Sequence, residues 1–196
     1  MLKEAAEPPG AGYNSNPPPH ATPLEIVHTR LDTLKVELEQ SIRYHQQRSW
    51  FYGRLHNVAI GALMVIGWTI SGAIAGNATA VFGIGIAVVG TLGLVLHLSR
   101  RTGDHEKLAM RYTRLASELH TEEPTPEHLR RWSQQERHIA ASEPPIYWAL
   151  KAACCNEVLQ AQGQTKGLYN LGWLPRLLIN VFKFDDGCFS KWAARK

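Results

Sequence analysis

From Leu55 to Ser99 this chain runs for 45 residues without one Asp, Glu, Lys or Arg. Few folds accept such a stretch. Its halves, about 57–76 and 79–98, are each about 20 residues long. Twenty helical residues at 1.5 Å rise match a hydrocarbon layer of roughly 30 Å. Between them Gly76-Asn77 is turn chemistry, because both residue types tolerate positive φ. The pattern predicts a two-helix transmembrane hairpin. The second half carries eleven large apolar residues from Val81 to Leu98, which contribute on the order of −3 to −7 kcal/mol to insertion. The first half gains on the order of −2 to −4 kcal/mol, much of it offset by its glycines, Thr69 and Ser71. It is expected to insert as the partner of the second.

Charge supports the same topology. The formal net charge is +4, and Arg43, Arg48 and Arg54 precede the stretch while Arg100, Arg101, Lys107, Arg111 and Arg114 follow it. By the positive-inside rule both termini face the cytoplasm. The mean hydropathy of −0.22 then averages an apolar hairpin with two polar arms. Basic residues beside lipid explain the pI near 9.1 better than a nucleic-acid partner does. The first twenty residues contain no apolar run, so no cleavable signal is expected. Cys154, Cys155 and Cys188 form no CxxC pair, and reduced, helix-packing thiols are the expectation for 154 and 155.

Residues 1–21, rich in proline, are expected to be disordered. Thr22-Pro23-Leu24-Glu25 reads as a capping box with proline at the first helical position. The amphipathic helix of residues 22–54 sets Leu24, Val27, Leu31, Leu34 and Leu38 at alternating three- and four-residue steps, a seam that must pack on another helix. Trp50, Tyr52 and Arg54 on one side of the hairpin, with Arg100 and Arg101 on the other, are placed as membrane-flanking residues. Over 100–163 a cytoplasmic bundle is predicted. Its first helix, 104–120, aligns Leu108, Tyr112, Leu115 and Leu119; its second is capped by Thr125-Pro126; its third runs from about 146 to 162. In the tail, 164–196, a helix over 173–184 fits either an interface or the bundle. The predicted fold class is an all-α membrane protein.

Nothing in the residues argues for an enzyme, a cofactor or a metal. There is no phosphate-binding glycine loop before a Lys-Ser/Thr, no GxSxG and no HExxH. The histidines His45, His56, His105, His120, His128 and His138 lack ligand spacing and read as solvated. Small residues instead mark helix-packing or pore-lining positions: Gly61, Thr69, Gly72 and Gly76 on the first span, Gly83, Ala87 and Gly90 on the second, with His97 at its end. A single hairpin has no lumen, so a conducting path would need several copies.

An Arg/His/aromatic helix, a Gly-rich hairpin, the helix reading from His105 through Tyr112 to Leu115, and a Pro-broken helix pair ending near Asn156 form a combination. Over roughly residues 24–163 it resembles the SLATT family, the two-transmembrane effector domain associated with SMODS-type nucleotide synthetases and SLOG-type ligand sensors. The resemblance implies an effector of the bacterial inner membrane in a conflict or antiphage system. Such an effector would oligomerise to form a pore or disrupt the bilayer, with a sensor or nucleotide-synthetase partner. A non-conducting membrane adaptor whose cytoplasmic helices recruit a partner is the alternative, and a phage holin-like protein a third.

Overall fold

The computed structural model describes residues 22–71, 85, 88, 90, 97–165 and 167–184. Its principal elements are α1 (Pro23–Ser71), α2 (Leu98–Thr121), α3 (Pro126–Ala140), α4 (Trp148–Ala161) and the short α5 (Trp173–Leu177). The expected all-helical class is what forms. The chain divides into two compact units: residues 1–45 with 108–196, and residues 46–107.

The membrane-spanning part of the predicted fold is overturned. Among the described residues no helix is long and apolar enough to cross a membrane. The physical reason lies in α1. It is one helix of 49 residues, and only its last fourteen, from Val58, are free of Asp, Glu, Lys, Arg, His and Asn. Within the described residues these fourteen reach about 21 Å, short of a hydrocarbon layer. Arg54, His56 and Asn57 lead directly into them, and Gly61, Gly67, Thr69 and Ser71 thin out their apolar content. Gly72, Gly76, Gly83, Ala87 and nearly all of the expected second span, 79–98, lie outside the described residues.

In unit 1 the start of α1 is fixed by the expected box. The Glu25 amide donates to Thr22 Oγ1 at 3.3 Å and the Thr22 amide donates to Glu25 Oε2 at 2.7 Å. From there Leu31, Leu34 and Leu38 meet Leu108, Tyr112, Leu115 and Leu119 of α2, and α3 closes the core with Trp132 and Ile139. Seams of this spacing bury because residues three and four apart share one helix face. Leu24, expected on this seam, is instead 70% exposed because it lies in the first turn of α1, ahead of the buried core residues, and Val27 is half-buried. Thr125 caps α3 by accepting from the His128 amide at 3.1 Å, with Pro126 in the first turn. Replacing Thr125 by Ala is expected to cost about 1 kcal/mol, read as a lower urea midpoint at unchanged slope.

The remaining core belongs to α4, which buries two faces. Ala149, Ala152, Cys155 and Leu159 pack on Tyr169 and Leu171, while Leu150 and Cys154 pack on Tyr44. Its end is a Schellman closure: the Gly163 amide donates to Gln160 O and the Gln164 amide to Leu159 O, both at 2.9 Å. Gly163 takes φ 75°, the left-handed conformation that glycine accepts without a Cβ clash. Asn156 then pins the returning chain, donating to Tyr169 O at 2.8 Å and accepting from the Tyr169 amide at 2.7 Å. Cys154 and Cys155 are buried, and burial pushes the Cys154 thiol up to about 12. Where a helix over 173–184 was expected, only Trp173–Leu177 is α-helical. Ile179 and Phe184 pack inward, and Trp173, Leu177, Val181 and Phe182 stay exposed.

Candidate functional site

Two sites stand out, one in each unit. In unit 2 the seam of α1 continues, but with polar residues. Arg48 and Tyr52 follow on the same face and are buried, as is His105 of α2. The Arg48 guanidinium lies 4.5 Å from the centre of the Tyr52 ring and donates to its hydroxyl. Arg101 reaches the same hydroxyl at 3.4 Å, and the His105 ring stacks on Tyr52 at 5.7 Å. Such a cation–aromatic stack compensates part of the cost of burying a guanidinium. The helices come close at Gly53, where an added Cβ would sit 3.8 Å from Thr102 Cγ2.

Beyond this stack α1 turns outward. Arg54 lies over the Trp50 ring at 4.4 Å, and Trp50 is exposed. Then come Val58, Met64 and Val65, which are 66%, 69% and 65% exposed, with Leu55 and Ile60 also exposed. At 100° per residue Leu55, Val58 and Val65 share one side, while Ile60 and Met64 take the opposite one. Apolar side chains therefore face outward around the helix. A cation–aromatic belt, Trp50 and Arg54, is thus followed directly by an exposed apolar stretch. Arg100 and Arg101 at the start of α2 are exposed and add two positive charges to the same unit.

The residues expected to pack helix on helix do not come together in what is described. A Cβ at Gly61 or at Gly90 would meet nothing within 4 Å. Thr69 lies on α1. His97 is exposed at φ 46°, where its carbonyl accepts the Arg101 amide at 3.0 Å and so starts α2.

In unit 1 the seam passes into a buried polar centre that sequence reasoning missed. His45, expected to be solvated, is fully buried; its Nε2 contacts Glu143 Oε1 at 3.1 Å. A carboxylate only accepts, so Nε2 carries the hydrogen. The Tyr112 hydroxyl donates to the same oxygen at 2.5 Å, and the His45 ring stacks on Tyr112 at 5.7 Å. Burial pushes the Glu143 carboxyl up, but the two hydrogen bonds outweigh it and hold the pKa below the ordinary carboxylate value. Burial and the Glu143 contact raise Tyr112, which stays a neutral donor. Around the carboxylate is a cleft of about 400 Å³ that also meets Glu136, Lys151 and Lys183. This centre joins α1, α2 and the segment before α4. In it one carboxylate accepts hydrogen bonds from two side chains on two helices and so ties these segments together.

Glu136 and Glu37 are raised by burial, and for Glu136 the charge of Glu37 adds to it. A raised folded-state pKa means stability is lost as pH climbs from the ordinary carboxylate value through the folded one. Glu136→Gln is thus expected to melt higher than the parent at pH 7. The advantage should vanish near pH 4, where the parent's side chain is protonated too. Melting curves at the two pH values check this.

The sequence carried a usable signal for the buried polar groups. His45, Arg48 and Tyr52 extend the three-four spacing of Leu31, Leu34 and Leu38, as His105 extends that of Leu108 and Tyr112. No protein-family model matches the chain, and no curated protein or solved structure matches it either.

Proposed function

We propose that this protein is a non-enzymatic membrane adaptor: the distal part of α1 embeds in the apolar layer of a lipid surface, and the helical bundle of unit 1 is presented to a partner. What supports the reading is the outward-facing set Leu55, Val58, Ile60, Met64 and Val65 directly after the Trp50–Arg54 belt. Five such side chains gain on the order of 5 kcal/mol when removed from water, allowing for incomplete burial. Arg54, Arg100 and Arg101 would add about 1 kcal/mol each near anionic headgroups. Anchoring of this kind requires no membrane-crossing length.

Flotation of the full-length chain with vesicles of phosphatidylethanolamine and phosphatidylglycerol tests this. The parent is expected to float, and Val58→Asp/Met64→Asp/Val65→Asp to remain at the bottom with unchanged helical circular dichroism. A parent that stays down, or a variant that floats equally well, ends the proposal. The resemblance to the SLATT family favours a stronger version, in which the bound protein oligomerises and breaches the bilayer. Release of a dye trapped in the same vesicles would distinguish that effector from the adaptor.

A further inference from the structure

We propose that the groove between α2 and α3 is a binding site for a small ligand carrying two or more phosphate groups. The groove measures about 670 Å³, within the size range of small-molecule sites. Arg111 and Arg114 enter it from α2; Arg131, Arg137 and His138 enter it from α3. Its floor is apolar, made by the buried Leu115 and Ile139. Four guanidiniums thus converge on one cavity, and among the described residues Glu118 is its only lining carboxylate.

That carboxylate does not neutralise them. Glu118 is 3.5 Å from Arg114, whose side chain is 85% exposed, so the pair is weak. Arg131 is held by Glu122 outside the groove lining. Arg111 donates to the neutral Ser142 hydroxyl at 3.0 Å, and among the described residues neither Arg111 nor Arg137 has a carboxylate at ion-pair distance. Arg137 does feel the charge of the adjacent Glu136, which lies outside the groove lining; Arg111 and Arg137, on opposite walls and without a close ion pair, suit two separate anionic groups. The cations are all arginine, whose planar fork matches phosphate oxygens in pairs, where lysine would offer a point charge. The cleft on the other side of α3 makes the contrast. It takes Arg30, Arg130 and Arg137 but already contains Glu37. This inference rests on unit 1 alone and is independent of the lipid reading.

The shared chemistry could come from a soluble polyphosphate or from clustered lipid headgroups. Calorimetric titration of the full chain with tripolyphosphate is expected to give saturable, salt-sensitive binding. Arg111→Gln/Arg137→Gln should weaken it at least tenfold with an unchanged melting temperature. Arg111→Lys/Arg137→Lys keeps the charge and should fall between. Arg30→Gln/Arg130→Gln removes equal charge elsewhere and should cost less than twofold. Absence of saturation at millimolar tripolyphosphate, a loss below tenfold in the first variant, or an equal loss in the last would overturn the site. Repeating the titration with phosphatidylglycerol vesicles and the Val58→Asp/Met64→Asp/Val65→Asp protein separates the sources. Binding of tripolyphosphate alone identifies a soluble ligand, and vesicle binding that requires Arg111 and Arg137 identifies headgroups.

Discussion

Trp132→Ala is expected to destabilise the bundle by about 3–5 kcal/mol, the range for emptying an aromatic site in a packed core. Trp132 is completely buried where α1, α2 and α3 meet, among Leu34, Leu38, Tyr112 and Leu115. The surrounding side chains come from three helices, so collapse into the cavity would have to move several backbones at once. Trp132→Phe should cost far less, under about 1.5 kcal/mol. Among the described residues the buried indole Nε1 has no hydrogen-bond partner. Phenylalanine removes that desolvated donor along with part of the ring, and the two effects oppose each other. Urea unfolding followed by circular dichroism measures both, with a constant slope as the check on two-state behaviour. A Trp132→Ala cost below about 1 kcal/mol would mean the three helices do not share this core.

The second large effect is expected at Glu143. Its replacement by Ala should cost about 3 kcal/mol, because the His45 imidazole and the Tyr112 hydroxyl then lose a charged acceptor inside the protein. Tyr112→Phe removes one donor and leaves the His45 contact, so about 1–2 kcal/mol is expected. In the double variant the two losses should add to less than their sum, since each deletes the same hydrogen bond. The pH dependence has a fixed sign. A carboxyl held below its ordinary pKa in the folded state contributes stability above the unfolded value, and that contribution disappears as pH falls through the folded one. The gap between parent and Glu143→Ala should therefore narrow in acid. A gap that widens in acid would show that Glu143 is not held as a carboxylate by these two donors.

What could be read from residues alone was local and periodic. The Thr22–Glu25 box, the Thr125-Pro126 start and the leucine stripes of α1 and α2 each depend on neighbours within one or two turns. The hairpin depended on something else, the solvent around 45 residues, which a run of apolar letters does not specify. The polar centre was hidden for a related reason. A histidine or arginine on a helix is normally solvated, and the buried His45 is met by a partner 98 positions away, Glu143. The heptad step from Leu38 to His45 was visible. What it would meet was not.

The central claim, that lipid covers the distal part of α1, is tested most directly by an environment-sensitive dye placed on it. With Cys154, Cys155 and Cys188 changed to Ala, a nitrobenzoxadiazole group is attached at Met64→Cys or, as the reference, at Gln46→Cys. Both positions lie in unit 2 and both are exposed. On addition of phosphatidylglycerol-containing vesicles, emission from position 64 should shift to the blue and be quenched by lipids carrying bromine on their acyl chains. Emission from position 46 should stay as in water. Unchanged emission from position 64 in the presence of excess vesicles would contradict the account.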